Sequence, residues 1–234
     1  MSQVTTITFF KFNSIKHQLW ALSMMQLAHG ELKKEKGHTF YKLMGSGRGL
    51  GFSAFPDWTT YVLLQVWESE SAAELFFDGS ALMKNYRQRT TEVWIVYLKN
   101  IASHGLWDGG NPFRVEKDLP KVEAIFVLTR ATIKWHKLIS FWRYVPTSHQ
   151  PLKDNDGLIY TKGVGELPVV QMATLSIWKD AQSLKNFAYN SKEHREAINM
   201  TRKLNWYKEE LFARFIPYKS VGTWNGNNPI EINQ

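Results

Sequence analysis

Apolar positions along this chain arrive in short runs of two kinds, and the kinds alternate in one order twice. The runs "TTITFFKF" (5–12) and "EAIFVLTRAT" (123–132) are β-branched and aromatic and predict strands. Each is followed by helical spacing: Ile15, Leu19, Leu22 and Met25 in one place, and Leu138, Phe141, Trp142 and Val145 in the other. The second of these is an amphipathic helix that stops at Pro146. Two strands come next, "HTFYKLMG" and "TTYVLLQVW" in the first half, "GLIYTKGVG" and "VVQMATLSIW" in the second. A further helix opens after Trp67 and after Trp178, with Ser69 and Asp180 suited to cap it. A last strand, "VWIVYL" or "ARFIPYKSV", ends each series.

The matching order is no accident of composition. "GLWDGGNPF" (105–113) returns as "GTWNGNNPI" (222–230), so that Trp107 and Trp224, Asn111 and Asn228, and Pro112 and Pro229 all lie 117 positions apart. Trp67 and Trp178, and Ser80 and Ser191, lie 111 apart, so the second copy carries extra residues after Ser191. "KHQL" (16–19) answers "WHKL" (135–138), and "GSG" (45–47) answers "GVG" (163–165). Similarity in the same order is the mark of internal duplication. Each unit reads β-α-β-β-α-β, the ferredoxin-like arrangement, which leaves one sheet face bare. The fold class is therefore α+β: two ferredoxin-like repeats, 1–116 and 117–234, fused into a pseudo-symmetric dimeric α+β barrel with a cavity between sheet and helices.

Composition narrows the setting. The chain has 234 residues, 44% hydrophobic and 14% aromatic, enough for a packed core. It has no cysteine, which excludes disulfides and thiolate metal sites. The opening "MSQVTTITFFKF" has no basic segment followed by an apolar one, and no run approaches a membrane span, so a cytoplasmic location is expected. A net charge of +8 suits anionic partners, including the inner face of a membrane, although on charge alone a solvated basic surface is the simpler explanation. The aromatic-basic strand of RNA-binding ferredoxin-like modules is missing, and no nucleic-acid partner is expected.

Duplication lets the halves be compared, and the second helix differs most. In "LKNFAYNSKEHREAINMTRKL", Phe187, Ser191, His194, Ile198 and Thr201 share a stripe, so His194 points with apolar side chains. Its counterpart in the first half is Met83. A single inward imidazole can be the axial ligand of a haem iron, and it can also be a hydrogen-bonded core residue. Arg143, Lys162 and Arg202 are second-half cations able to meet haem propionates, or else plain surface charges. His17 and His136 recur in both halves and read as structural. "GSGRGLG" (45–51) matches no phosphate-binding pattern and reads as a strand connection at the cavity mouth. No catalytic residue is assigned by these patterns.

"FYKLMGSGRGLGFSAFPDWTTYVLLQVWE" (40–68), "GELPVVQMATLSIWKD" (165–180), "FAYNSKEHREAI" (187–198) and "WYKEELFARFIPYKSVGTWNGNNP" (206–229) together resemble the spheroidene monooxygenase family of carotenoid biosynthesis. The resemblance implies a monooxygenase using haem b, dioxygen and an external electron donor to oxidise a methylene of an acyclic carotenoid, or a similar apolar substrate, to a ketone. It also implies that His194 is the iron ligand. The scaffold leaves other readings open: a haem enzyme of aldoxime-dehydratase type, a cofactor-free barrel monooxygenase, or a binding protein for haem or an apolar ligand. A second copy of the chain is a further candidate partner.

Overall fold

The β-branched runs close into one antiparallel barrel in the computed structural model, which describes residues 2–51, 53–144, 155–190, 200, 203–230 and 232. Its strands are β1 (Val4–Lys11), β2 (His38–Gly47), β3 (Pro56–Trp67), β4 (Glu92–Gly105), β5 (Ile125–Ile133), β6 (Leu158–Leu167), β7 (Gln171–Trp178) and β8 (Tyr207–Gly222). They run around the barrel as β1-β3-β2-β6-β7-β5-β8-β4, and β4 pairs back onto β1. Outside lie α1 (Ile15–Leu27), α2 (His29–Leu32), α3 (Glu70–Gly79) and α4 (Ala81–Arg87) over the first half. Over the second lie α5 (Leu138–Tyr144), entered through a 3-10 turn at Trp135–Lys137, and α6 (Ala181–Asn190). Each half is thus β-α-β-β-α-β, as the repeat requires. Ser69 accepts from the Ala72 amide at 3.2 Å and Asp180 from the Ser183 amide at 2.6 Å, the helix starts their side chains predict.

The halves meet at two seams. β4 pairs with β8 from Trp94↔Gly222 to Gly105↔Leu211, two ends that the 117-residue offset exchanges, while the β2–β6 ladder is limited to Gly45↔Gly165 and Ser46↔Val164. Side chains alternate across the sheet. Ile7, Phe9, Leu64, Phe126, Leu128 and Phe215 point inward and fill the barrel, whereas Thr6, Thr8 and Phe10 point outward beneath helices.

The repeated nine residues close the barrel, one copy at each end. Gly105 and Gly222 have φ of +89° and +88°, and a Cβ there would come within 2.2 Å of the Glu210 carbonyl oxygen and 2.0 Å of that of Val93. Only glycine fits. Asn111 then accepts from the Phe113 amide at 3.1 Å and Asn228 from the Ile230 amide at 3.2 Å, turning the loop so that Trp107 and Trp224 join the interior cluster.

The two ends differ in chemistry. Around Trp224 the packing is aromatic, with Phe9 and Trp94 stacked at 4.9 Å and Tyr160 edge-on to both. At the other end the repeat partner of Phe9 is Arg130, 1% exposed, ion-paired with Glu209 and lying 3.9 Å from Glu166. Glu166 also takes Lys42 and accepts from the Trp107 indole at 2.8 Å.

One helix is turned against expectation. The stripe of Ile15, Leu19 and Leu22 faces solvent, and α1 buries Ala21 and Met24, followed by Ala28. The sheet beneath is already bulky with Phe12 and Tyr61, so alanines give the closer fit.

Candidate functional site

The barrel interior is filled, so any cavity belongs between sheet and helices, where the two halves can be compared position by position. In the first half Thr8 stands between Leu63 and Ile95, and Thr6 between Gln65 and Tyr97. All six are buried, and Leu63, Ile95 and Tyr97 belong to one continuous apolar cluster that includes Phe76, Leu82 and Met83 of α3 and α4.

In the second half the same register sets Thr129 between Thr174 and Phe212, and Val127 between Ser176 and Arg214. Here Leu63 is replaced by Thr174, Gln65 by Ser176 and Tyr97 by Arg214, while Ile95 becomes Phe212 and Thr6 becomes Val127. Thr129 and Arg214 are exposed, and Thr174, Ser176 and Phe212 are half-buried. Among the described residues the apolar cluster is split in two. Below the strip, Ile125, Val127, Trp178 and Ile216 pack with Leu184 and Phe187 of α6. Above it, Ile133, Met172 and Trp206 pack with Phe141 of α5. A polar-floored strip between two apolar walls is what a flat, amphipathic group requires: walls to desolvate its faces and donors to orient it. The Arg214 guanidinium lies 5.2 Å over the Phe212 ring, a permanent cation at the edge of the strip.

The residues singled out from sequence are distributed as follows. His194 and Arg202 lie outside the described residues. The described part of α6 reaches Asn190, four positions before His194, and its Phe187 packs at 4.9 Å on Trp178. Arg143 is exposed near the end of α5. Lys162 sits elsewhere: it shares the inward parity of Tyr160 and Val164 on β6, and its ammonium is held by Asp57 at 2.7 Å. Burial raises the Asp57 carboxyl, but hydrogen bonds from Lys162 and Thr59 outweigh it and hold the group below its ordinary value. The structure thus does not bring Arg143 and Lys162 together. Thr129, Thr174, Ser176 and Arg214 carry no motif. Only setting them against Thr8, Leu63, Gln65 and Tyr97 reveals them.

Comparison with known proteins gives the following similarities. The spheroidene monooxygenase of Cereibacter sphaeroides is 37% identical over 232 residues, spanning 97% of this chain and 71% of that one. That of Rhodobacter capsulatus is 32% identical over 229 residues, spanning 97% of this chain and 95% of that one. A solved aldoxime dehydratase in complex with butyraldoxime superposes with a TM-score of 0.62 at 9% identity, covering 92% of this chain and 79% of that one. At such identity the likeness is one of fold. No family model matches.

Proposed function

We propose that this chain, which belongs to the spheroidene monooxygenase family, is a haem-dependent monooxygenase that converts a methylene of an acyclic carotenoid or similar apolar substrate to a ketone. The observation that carries the haem part is the cluster of the second half, split among the described residues where the first half has a continuous one. Its donor set suits the group. Phe141, Trp206 and Trp178 offer apolar walls, Thr129, Thr174 and Ser176 offer hydroxyls, and Arg143, Arg202 and Arg214 are cations available to propionates. Lys162 is committed to Asp57. His194 would hold the iron, because Met83, which the repeat sets against it, is buried between helix and sheet.

Bound there, haem would supply dioxygen activation, with electrons from an external donor. The chain contributes orientation of the substrate methylene and exclusion of bulk water by the apolar walls. Two oxygen insertions at one carbon give a gem-diol, which loses water to leave the ketone. An apolar polyene resides in a bilayer, so the reading includes peripheral contact with the cytoplasmic face. Among the described residues no helix is long and apolar enough to cross a membrane.

Protein purified from haem-replete cells is expected to show a Soret band that survives dialysis and is lost or shifted in His194→Ala. Colourless protein overturns the haem assignment. Haem-loaded protein that leaves acyclic carotenoids unchanged with a working reductant overturns the substrate assignment.

A further inference from the structure

The outward turn of α1 leaves an apolar stripe that nothing among the described residues covers. Ile15, Leu19 and Leu22 are 75%, 62% and 45% exposed and recur at i, i+4 and i+7. A helix normally turns such a stripe towards the core. Here the core side is taken by Ala21, Met24 and Ala28, so the aliphatic surface is presented outward at the cost of hydrating it.

Charge around the stripe has one sign. No acidic residue occurs before Glu31, and none occurs between Asp78 and Glu92, a stretch that includes α4. Lys16 lies on α1, and Lys84, Arg87 and Arg89 lie on or just beyond α4. Among the described residues none of these four forms an ion pair. The two elements share a cavity of about 350 Å³ lined by Lys16, His17, Trp20, Gln88 and Arg89. The Arg89 guanidinium lies 4.7 Å over the Trp20 ring, held by the Asn85 carbonyl at 2.9 Å.

We propose that the face formed by α1 and α4 docks on an anionic phospholipid bilayer, with α1 lying in the interface, Ile15, Leu19 and Leu22 in the acyl boundary, and Lys16 and Arg89 on headgroup phosphate. Large exposed aliphatics, flanking cations and a Trp are the makings of an interfacial helix. Charge decides against a second copy of the chain as the occupant. Pairing this face on itself by a two-fold axis would bring unpaired cations against the same unpaired cations. The proposal gives a surface to the peripheral contact of the functional reading and rests on that reading only for the purpose of the contact; haem binding does not enter it.

Vesicle co-sedimentation tests it, comparing phosphatidylcholine alone with phosphatidylcholine containing phosphatidylglycerol. The expected result is binding to the mixed vesicles at least tenfold tighter than to the neutral ones, falling with salt. Leu19→Gln with Leu22→Gln is expected to weaken it at least tenfold, and Lys16→Gln or Arg87→Gln about fivefold each. All four sites are exposed, and circular dichroism should show the variants folded. Because the chain has no cysteine, Leu22→Cys takes a single polarity-sensitive dye, whose emission should shift blue on the mixed vesicles. Equal binding to both vesicle types, variants that bind like the parent, or a blue shift that appears without lipid as the mass doubles would each overturn it. The Soret test runs separately, so a colourless protein that still binds vesicles sinks the haem reading and leaves this one standing.

Discussion

Thr8 and Thr129 hold one place in the two halves, each at the middle of a first strand and each aimed at its helices, yet Thr8 is 0% exposed and Thr129 is open. The difference is carried by their neighbours. Leu63 and Ile95 flank the first, and Thr174 and Phe212 flank the second.

If the strip at Thr129 receives the haem, filling it should exclude the group without harming the fold. Thr129→Trp is expected to lower haem retention at least tenfold, read as the ratio of Soret to aromatic absorbance. Stability to urea should change by no more than about 0.5 kcal/mol, as for other exposed sites. Full haem content in this variant would place the group elsewhere.

Glu166 holds Lys42, the Trp107 indole and the flank of Arg130 together, so its removal leaves the indole without its acceptor and the buried Arg130 with Glu209 as its one carboxylate among the described residues. Glu166→Ala should cost about 3 kcal/mol in urea unfolding. Adding Arg130→Met should restore most of it, because a buried thioether needs no counter-charge. An unchanged double variant would show that the loss came from Trp107 instead.

The repeat glycines can be graded by what surrounds them. Gly105→Ala and Gly222→Ala meet a carbonyl oxygen within 2.2 Å at positive φ and should each cost about 3 kcal/mol or prevent folding. Gly109→Ala has φ of +80° but open space, and should cost only about 1 kcal/mol. Thermal unfolding of the three separates steric overlap from backbone strain.

The Asp57–Lys162 pair predicts an acid limb. Because the folded carboxyl lies below its ordinary value, its contribution is complete above the unfolded pKa of about 3.9 and is lost as pH falls through the folded one. Urea midpoints taken from pH about 6 down to about 2 should fall less steeply in Asp57→Asn than in the parent. Parallel curves would show that the pair does not report on folding.

Much of this was legible in the linear order. Alternation of β-branched residues marked the strands. Ser69 and Asp180 marked helix starts, and the doubled "WxGxNP" stretch exposed the duplication and hence the barrel, because those features depend on a residue and its near neighbours alone. The family resemblance rested on the same local segments. Other features were decided only when strands met. Periodicity shows that α1 has an aliphatic stripe, but the bulk of Phe12 together with Tyr61 of the distant β3 determines that alanines, not leucines, face them. Nothing in the strand "EAIFVLTRAT" marks Arg130 as buried; β8 and β6 decide that by bringing Glu209 and Glu166 beside it. The strip of Thr129, Thr174, Ser176 and Arg214 comes from three strands far apart in sequence, and no spacing along the chain can announce it. Sequence fixes what each residue offers, whereas burial is set by whatever the fold places on top.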